Sequence, residues 1–333
     1  MRKFSFIIAI FTVFINSAFA IDDNTVEIVF SGSTATVTPS ANISSYVTVQ
    51  SGTSSHVKII QSASFAGVDK TVDNEDGEII YVLSGTSTDG EFYLEGSYKC
   101  TVELNGLTLT NPSGAALALM NGKRVAVSAK KGTTNTLTDG ANEEYNGCLH
   151  CKGHTKLKGK GTLNIAGNSK HALYSKEYLE VKNLTLNITA AAKDALHCKE
   201  YFLMESGSVT INGATEDGIQ VELSGLTSTG TTVNHEEEDT GNFYMGGGTL
   251  TIKGYAGKAI KADGTITYSG GTQNFDTTDT VILASISSLN ISNDEMIDAI
   301  YDLNGCQLPK SASLSKGLYL MKKNGKTIKL LVR

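Results

Sequence analysis

The chain has 333 residues, of which 34 are Gly and 3 are Pro, and it contains no Trp. Many glycines with few prolines, together with abundant Thr, Val, Ile and Tyr, favour short strands joined by tight turns, so we expect an all-β protein. The formal net charge is −6 at pH 7. An acidic chain without a basic patch does not have the pattern of a nucleic-acid-binding protein.

Residues 1–20 have the pattern of an export signal. Arg2 and Lys3 precede an apolar run over 6–15, and Ala18 and Ala20 are small residues at the two positions that a signal peptidase reads. We therefore expect cleavage after Ala20 and a secreted protein, extracellular or at the cell surface. An uncleaved membrane anchor is the alternative. No later stretch approaches the roughly 20 apolar residues of a spanning helix, so no membrane span is expected.

Residues 21–90 alternate between apolar and polar side chains, as in Val26–Phe30 and Val47–Val49. This period is typical of strands with one buried face. The pattern predicts an N-terminal β region that caps or precedes the rest of the fold.

One unit repeats through residues 91–273. Its clearest copies are Ala172–Leu179 and Ala195–Phe202, which start 23 residues apart. The same register recurs around Leu149, Ile219 and Ile260. Self-similarity at a fixed period of this length is the signature of a solenoid.

Within each unit the pattern is that of strands. Apolar pairs separated by one polar residue occur at Leu163 and Ile165, Leu186 and Ile188, Val209 and Ile211, and Leu250 and Ile252. Such pairs indicate strands with one buried face, and each unit has room for three strands. The repeat therefore predicts a parallel β-helix, which the usual handedness of parallel crossovers makes right-handed.

Five cysteines raise the question of disulfides in an exported chain. Cys151 and Cys198 occupy one column of the repeat, two units apart, which is ~9–10 Å at ~4.8 Å per strand and exceeds the ~7 Å limit on the Cα separation of a bridge. Cys148 and Cys151 form a Cys-x-x-Cys pair within a strand, without a helix N-terminus. We interpret these residues and Cys100 as small core residues, with a zinc or redox role as the alternative.

Carboxylates recur at one position of the repeat. Asp194 and Asp217 each precede the Ala-Leu or Gly-Ile step of their unit, so we expect them to stack ~4.8 Å apart. Like charges at that distance repel unless a cation lies between them, and Ca²⁺, with Ca–O distances of ~2.4 Å, can bridge them. Lys193 and Lys258 beside the column offer the alternative, an ordinary surface ladder of opposite charges.

An insertion over residues 224–241 ends in the acidic run Glu236–Asp239. Insertions of this kind gather on one face of a solenoid, which is often the binding face. Because the loop leaves the stack soon after Glu216 and Asp217, we expect Glu238 and Asp239 to share a cation with them. The alternative is a solvated acidic loop.

The charge changes sign at the C-terminal end. Residues 298–333 hold seven Lys or Arg and two Asp, and residues 274–297 are predicted to be a polar linker. The segments Ala299–Gly305, Lys316–Leu320 and Gly325–Leu330 resemble the C-terminal sorting domain of type IX secretion substrates from Bacteroidota. The resemblance implies contact with that secretion machinery. The alternative is a pair of β-hairpins that closes the fold.

Four segments of the repeat region are informative together, namely Gly96–Leu109, Lys193–Leu196, Glu216–Ile219 and Gly257–Gly264. They resemble the bacterial carbohydrate-binding domain that is built as a right-handed β-helix, and the resemblance covers residues 75–273. It implies calcium, an acidic plant polysaccharide of the polygalacturonate type, and binding rather than cleavage as the defining property. It also places a cation role on Asp194, Asp217 and Asp263.

These observations predict a non-catalytic sugar-binding face. Neighbouring units present Tyr174, His197, Gln220 and Lys261 side by side, next to the aspartate column. Lys193, Lys199 and Lys261 are expected to meet uronate carboxylates while Ca²⁺ bridges the sugar acid to the protein. The predicted calcium ligands are Asp194, Glu216, Asp217, Glu238, Asp239 and Asp263.

Two other functions remain open. Many β-helices cleave pectin, and a lyase of that fold uses an Arg base beside calcium; beyond the signal the chain has only Arg124 and Arg333, although lysine can substitute. An inverting hydrolase needs two carboxyl groups roughly 6.5–9.5 Å apart, and no motif singles out such a pair. The second alternative is a cell-surface adhesin or structural protein without a specific glycan.

Overall fold

The structure is a computed structural model that describes residues 21–50, 54–62, 65, 78–225, 238–276, 281–282, 297–302, 305–309, 317–323 and 326–332. The predicted export signal and residues 226–237 of the acidic insertion lie outside the described residues. Apart from one 3-10 turn, Ser44–Tyr46, the regular secondary structure of the described part is β-strand.

The N-terminal region caps the fold and also begins its parallel sheets. Its strands are β1 (Thr25–Ser31), β2 (Thr34–Pro39), β3 (Val47–Val49), β4 (His56–Gln61), β5 (Ile79–Ser87) and β6 (Glu91–Gly96). β1 pairs with β2, and β3 with β4, in antiparallel fashion. In contrast, β1 pairs with β5, and β4 with β6, in parallel. The parallel ladders therefore extend N-terminal to residue 91.

From residue 100 onward the chain winds in coils of three strands. These strands are β7 (Cys100–Asn111), β8 (Leu117–Asn121), β9 (Val125–Ala129), β10 (Thr134–Asp139), β11 (Gly147–Cys151), β12 (Thr155–Gly159), β13 (Thr162–Gly167), β14 (His171–Ser175), β15 (Leu179–Lys182), β16 (Thr185–Ala191), β17 (Leu196–Lys199), β18 (Tyr201–Met204), β19 (Ser208–Ala214), β20 (Ile219–Glu222), β21 (Asn242–Met245), β22 (Thr249–Tyr255), β23 (Ile260–Ala262), β24 (Ile266–Tyr268) and β25 (Thr272–Phe275).

Successive coils place their strands on three faces. Face one runs β3-β4-β6-β8-β11-β14-β17-β20-β23, face two runs β9-β12-β15-β18-β21-β24, and face three runs β10-β13-β16-β19-β22-β25. On face one the residues of the repeat align as predicted, in the order Leu149, Leu173, Leu196, Ile219 and Ile260. On face three the apolar pairs that begin at Leu163, Leu186, Val209 and Leu250 align in the same way. The predicted all-β class and the parallel β-helix are confirmed.

Strand β7 joins face two to face three because it is long enough to bend. Its first part, up to Leu104, pairs with β9, and its last part, from Thr108, pairs with β10. Gly106 lies between the two parts with φ of 76°, in the left-handed region that glycine adopts without steric cost. The register between β5 and β7 also shifts at this point, as expected of a β-bulge that redirects a strand.

Like residues stack on one another in the interior of the helix. Leu196 and Ile219 are completely buried, and the rings of Phe202 and Phe243 stack with centroids 5.0 Å apart and planes 4° apart. Burying one such side chain stabilises a fold by about 1.5–3 kcal/mol. The repeat thus gives each coil an apolar contact with the coils on both sides.

Four cysteines belong to this interior. Cys100, Cys148, Cys151 and Cys198 are all buried and free of disulfides. Cys151 and Cys198 stand in one register with Ser175 between them. The interpretation of these cysteines as small core residues is confirmed.

The C-terminal strands form a sheet of their own. They are β26 (Val281–Ile282), β27 (Ile297–Tyr301), β28 (Gln307–Leu308), β29 (Gly317–Lys323) and β30 (Lys326–Val332). Their order is β26-β30-β29-β27-β28, and β29 and β30 form an antiparallel hairpin. Across the described residues we find no helix with the length and apolar character needed to cross a bilayer.

Candidate functional site

A column of outward-facing residues runs along face one, one residue from each coil. The residues are in register and alternate with side chains of the apolar interior, and Ala118, His197 and Gln220 are themselves buried, with at most 8% exposure. In order they are Lys58, Tyr93, Ala118, His150, Tyr174, His197, Gln220 and Lys261. The structure therefore brings the predicted ligand-binding residues Tyr174, His197, Gln220 and Lys261 onto four consecutive coils. We call this set the face-one column.

Aromatic rings stack along the middle of the face-one column. The ring centroids of His150 and Tyr174 are 5.2 Å apart with planes at 9°, and those of Tyr174 and His197 are 5.2 Å apart with planes at 24°. At the N-terminal end, Lys58 Nζ lies 4.4 Å from the ring centroid of Tyr93. Because the rings cover one another, each ring is fixed in orientation by its neighbours.

The aspartate column stands beside the face-one column and links successive coils. Asp194 Oδ1 accepts a hydrogen bond from the backbone N–H of Asp217 at 2.9 Å, and Asp217 Oδ1 accepts one from the N–H of Lys258 at 2.6 Å. The second oxygen of Asp217 lies 3.5 Å from Lys261 Nζ. The aspartates are neighbours as the repeat predicts, and backbone amides occupy one oxygen of each.

Asp194 lies between two imidazole rings. Its Oδ2 is 3.0 Å from His197 Nδ1 and 3.3 Å from His171 Nδ1. Burial alone would raise the pKa of Asp194, but the hydrogen bonds from His197 and from the Asp217 amide, with the nearby His171, hold this pKa below its ordinary value. Burial and the neighbouring His197 lower the pKa of His171 to about 4, against the opposing effect of Asp194. The site thus pairs an ionised carboxylate with a neutral His171 at pH 7.

A second cluster of ionisable residues joins three successive coils, two of which also carry the Asp194 site. His154 Nε2 lies 3.2 Å from Glu177 Oε2 and 3.3 Å from Glu200 Oε2. The His154 ring stacks on Tyr178 with centroids 4.1 Å apart, and Glu200 Oε2 also accepts a hydrogen bond from the N–H of Tyr178 at 3.2 Å. Charge and hydrogen bonding are satisfied here within the protein.

The carboxylates around the acidic insertion hold its two ends. Asp239 accepts hydrogen bonds from the N–H of Ser224 at 2.7 Å and of Gly225 at 2.9 Å. Asp263 accepts one from the N–H of Leu223 at 3.0 Å. The buried Glu238 accepts hydrogen bonds from Asn242 Nδ2 and from the hydroxyl of Tyr244.

The remaining predicted site residues lie at the surface. Glu216 and Lys193 are exposed, and Lys199 Nζ lies 3.8 Å from Glu222 Oε2.

In the described part of the chain, two groups of His, Asp and Glu side chains have ligand atoms that all lie within 4.8 Å of one another. One group is His171, Asp194 and His197, and the other is His154, Glu177 and Glu200. Neither group joins Asp194 to the other five predicted calcium ligands.

Sequence reasoning missed His171, His154, Glu177 and Glu200 as functional candidates. A signal for them exists, because His171 precedes Ala172 just as Asp194 precedes Ala195, one unit later. Glu177 and Glu200 likewise follow a lysine at equivalent positions of two successive units. Residues at equivalent positions of a parallel stack become neighbours, so each pair is predictable from the repeat.

Comparisons with known proteins identify a family and a similar fold. The family described as "Carbohydrate-binding domain-containing protein" matches residues 67–299. A protein of that description from Acetivibrio thermocellus is 24% identical over 112 residues, which are 31% of this chain and 39% of the relative. The aligned part thus spans well under two thirds of that relative's length.

A solved structure has a similar fold. It is the polysaccharide lyase-like protein from C. thermocellum, in a gadolinium derivative, with a TM-score of 0.54 and 18% identity over 76% of this chain and 98% of that one. At this identity the likeness concerns the fold alone. The match over residues 67–299, by contrast, extends over more than half of the sequence, and the chain therefore belongs to the family of carbohydrate-binding domain-containing proteins.

Proposed function

We propose that the protein is a secreted, non-catalytic module that binds an acidic, uronate-type polysaccharide along face one with the help of calcium. Membership of a carbohydrate-binding family supports the substrate class in general terms. The observation that carries the proposal is the face-one column, in which polar and aromatic groups repeat from coil to coil in register. A repeating surface suits a repeating polymer.

The chemistry of the column favours an acidic sugar chain. Lys58 and Lys261 stand toward its two ends, and Lys199 lies beside it, so positive charge lies along the row where uronate carboxylates would bind. His150 and Tyr174 between them are stacked ring on ring, and we expect them to offer polar edges to hydroxyl groups rather than open ring faces. Gln220 adds an amide to the same row, although it is buried and its Nε2 donates a hydrogen bond to Glu222.

Calcium fits part of the predicted ligand set. Ca²⁺ takes six to eight oxygen ligands, and the candidate carboxylates stand at two separate places. Glu216 and Asp217 precede β20, whereas Asp263 follows β23 at the base of the insertion. Asp194 is less suitable, because its free oxygen faces two imidazole nitrogens. When bound, the ion would offset the negative charge of the body toward an anionic polymer.

Isothermal titration calorimetry with polygalacturonate tests this proposal. We expect saturable binding in calcium that is lost with a chelator and restored by added calcium, while ultraviolet absorbance shows no unsaturated sugar products. Absence of binding in calcium would contradict the uronate specificity. Binding that persists unchanged in the chelator would contradict the calcium dependence but not the uronate specificity.

A lyase is the second candidate, because the fold is similar to that of a protein described as polysaccharide lyase-like. The ion pairing of Arg124 argues against it, since the guanidinium contacts the carboxylate of Glu78 and both side chains are largely buried. An arginine held in this way is poorly placed to accept a proton from a sugar. Release of unsaturated products in the same titration would establish the lyase.

The C-terminal sheet, β26 to β30, is proposed to serve export rather than sugar binding. Its described strands include the Lys-rich hairpin of β29 and β30, within the segment that resembles a type IX sorting domain. In this proposal it contacts the secretion machinery while the β-helix carries the binding face.

A further inference from the structure

We propose that His171, Asp194 and His197 bind a divalent transition-metal ion such as Zn²⁺. The inference goes beyond the proposed function and does not depend on it. It concerns a different class of ion from calcium and a group of side chains that the parallel stack assembles from two successive coils.

The geometry of the three side chains suits a small cation. Asp194 Oδ2 lies 3.0 Å from His197 Nδ1 and 3.3 Å from His171 Nδ1, and the two rings are tilted at 44° with centroids 4.5 Å apart. Two ligands about 2.1 Å from a tetrahedral Zn²⁺ are separated by about 3.4 Å. The observed separations therefore need only small adjustments to surround one ion.

An orphaned nitrogen provides an independent indication of a ligand. His171 is 8% exposed, and its Nδ1 is buried without a hydrogen-bond partner, although it lies near Asp194. Buried polar atoms in proteins are nearly always satisfied, and an exception points to a water or ion at that place. A metal ion bound by Nδ1 would satisfy this atom and Asp194 Oδ2 together.

The surroundings of His197 resemble those of a metal-bound histidine. Its second nitrogen, Nε2, lies 3.4 Å from Glu222 Oε2, and Glu222 also accepts a hydrogen bond from Gln220. Ligating histidines commonly donate their other N–H to a carboxylate, which fixes the tautomer and orients the ring. Tyr174 stacks against the same ring and restricts its rotation.

The donor set decides between ion classes. Imidazole nitrogens favour zinc, copper, nickel and iron, whereas Ca²⁺ and Mg²⁺ prefer oxygen. Asp194 offers a single oxygen, because Oδ1 is bonded to the amide of Asp217. Two nitrogens and one oxygen make three protein ligands, so a water or a ligand group would complete a tetrahedron.

The cluster of His154, Glu177 and Glu200 supplies a matched control within the same β-helix. It also combines histidine and carboxylates within 4.8 Å, but it has a single imidazole whose Nε2 already contacts both Glu177 and Glu200. The replacement His154→Gln removes an imidazole and should leave Zn²⁺ affinity at the first site unchanged.

The test is calorimetric titration of Zn²⁺ into tag-free, metal-stripped mature protein without sugar, repeated in excess Ca²⁺. We expect one Zn²⁺ per chain, no competition by Ca²⁺, and a loss of affinity of at least ~100-fold in His171→Gln and His197→Gln, with a loss of ~10-fold in Glu222→Gln. Circular dichroism verifies that each variant is folded. Binding of Co²⁺ in place of Zn²⁺, followed by its visible absorption, supplies a second readout that reports the coordination geometry of the bound ion.

Three results would overturn the inference. They are the absence of saturable Zn²⁺ binding to the folded wild-type chain, full affinity in folded His171→Gln and His197→Gln, and a loss in His154→Gln equal to theirs. Because no polysaccharide is present, none of these results bears on sugar binding, and failure of the polygalacturonate titration leaves the metal site standing.

Discussion

His150 lies in the middle of the face-one column, between the rings of Tyr145 and Tyr174. Burial and, to a lesser extent, the positive charge of Lys170 lower the pKa of His150 from 6.5 to about 4. Its Nδ1 accepts a hydrogen bond from the backbone N–H of Asn146 at 3.3 Å, which requires that nitrogen to be unprotonated. The folded state therefore favours the neutral ring.

This preference predicts that the free energy of unfolding falls as the pH is lowered from 6.5 toward 4. The pKa is lower in the folded chain than in the unfolded chain, so between these values the unfolded chain binds the additional proton. The stabilisation is complete above 6.5 and is lost as the pH falls through this window. Urea denaturation at several pH values should show a shallower slope for His150→Gln than for the wild type, and an identical slope would contradict the prediction.

The repeat predicts which residues become neighbours at the site, but it does not predict what each atom bonds to. Asp194 and Asp217 are adjacent because they occupy equivalent positions of parallel coils. Whether an oxygen meets a cation or a backbone amide depends on how each turn directs its N–H groups, and the sequence does not encode this in any local pattern. The repeat likewise places His171 beside Asp194 but does not predict that its Nδ1 faces the Oδ2 of that aspartate.

At the scale of the strands, stability depends on the interior ladders. Leu196 in β17 is completely buried and lies in register between Leu173 and Ile219. We expect Leu196→Ala to lower the free energy of unfolding by about 2–5 kcal/mol, because it removes buried methyl groups and leaves a cavity between coils.

A matched control lies at the end of the stack. Ile266 in β24 is 37% exposed and belongs to the last coil, so Ile266→Ala should cost well under half as much. Guanidinium denaturation of both variants makes the comparison. Equal losses in the free energy of unfolding would contradict the view that the buried ladders of side chains stabilise the β-helix.

The strands of the repeat are predictable because two periods agree, alternation within each strand and the 23-residue spacing between Ala172 and Ala195. The bend of β7 has no such repeat, and it depends on a single glycine, Gly106, with positive φ. The parallel pairing of β4 with β6 is likewise not predictable from the sequence pattern. Those strands lie before the first clear copy of the unit, so no spacing defined their partners.

At the scale of the whole molecule, the solenoid turns a short motif into an extended surface. Each coil contributes one residue to the face-one column, so in the proposed function a polymer that spans several coils would make several weak contacts at once. The chain as a whole carries a formal charge of −6. The lysines of face one therefore add positive charge to a protein whose net charge is negative. An anionic polysaccharide would need both these lysines and calcium.

The most direct measurement of this account compares two exposed lysines on different faces. Lys261→Ala removes the last residue of the face-one column and leaves Asp217 without the ammonium group that lies 3.5 Å away, whereas Lys253→Ala removes an exposed lysine from β22 on face three. In polygalacturonate titrations with calcium, we predict that Lys261→Ala weakens binding about tenfold, the loss expected for one charge-assisted contact. Lys253→Ala should bind like the wild type. Equal affinity of both variants and the wild type, or a larger loss in Lys253→Ala, would contradict binding along face one.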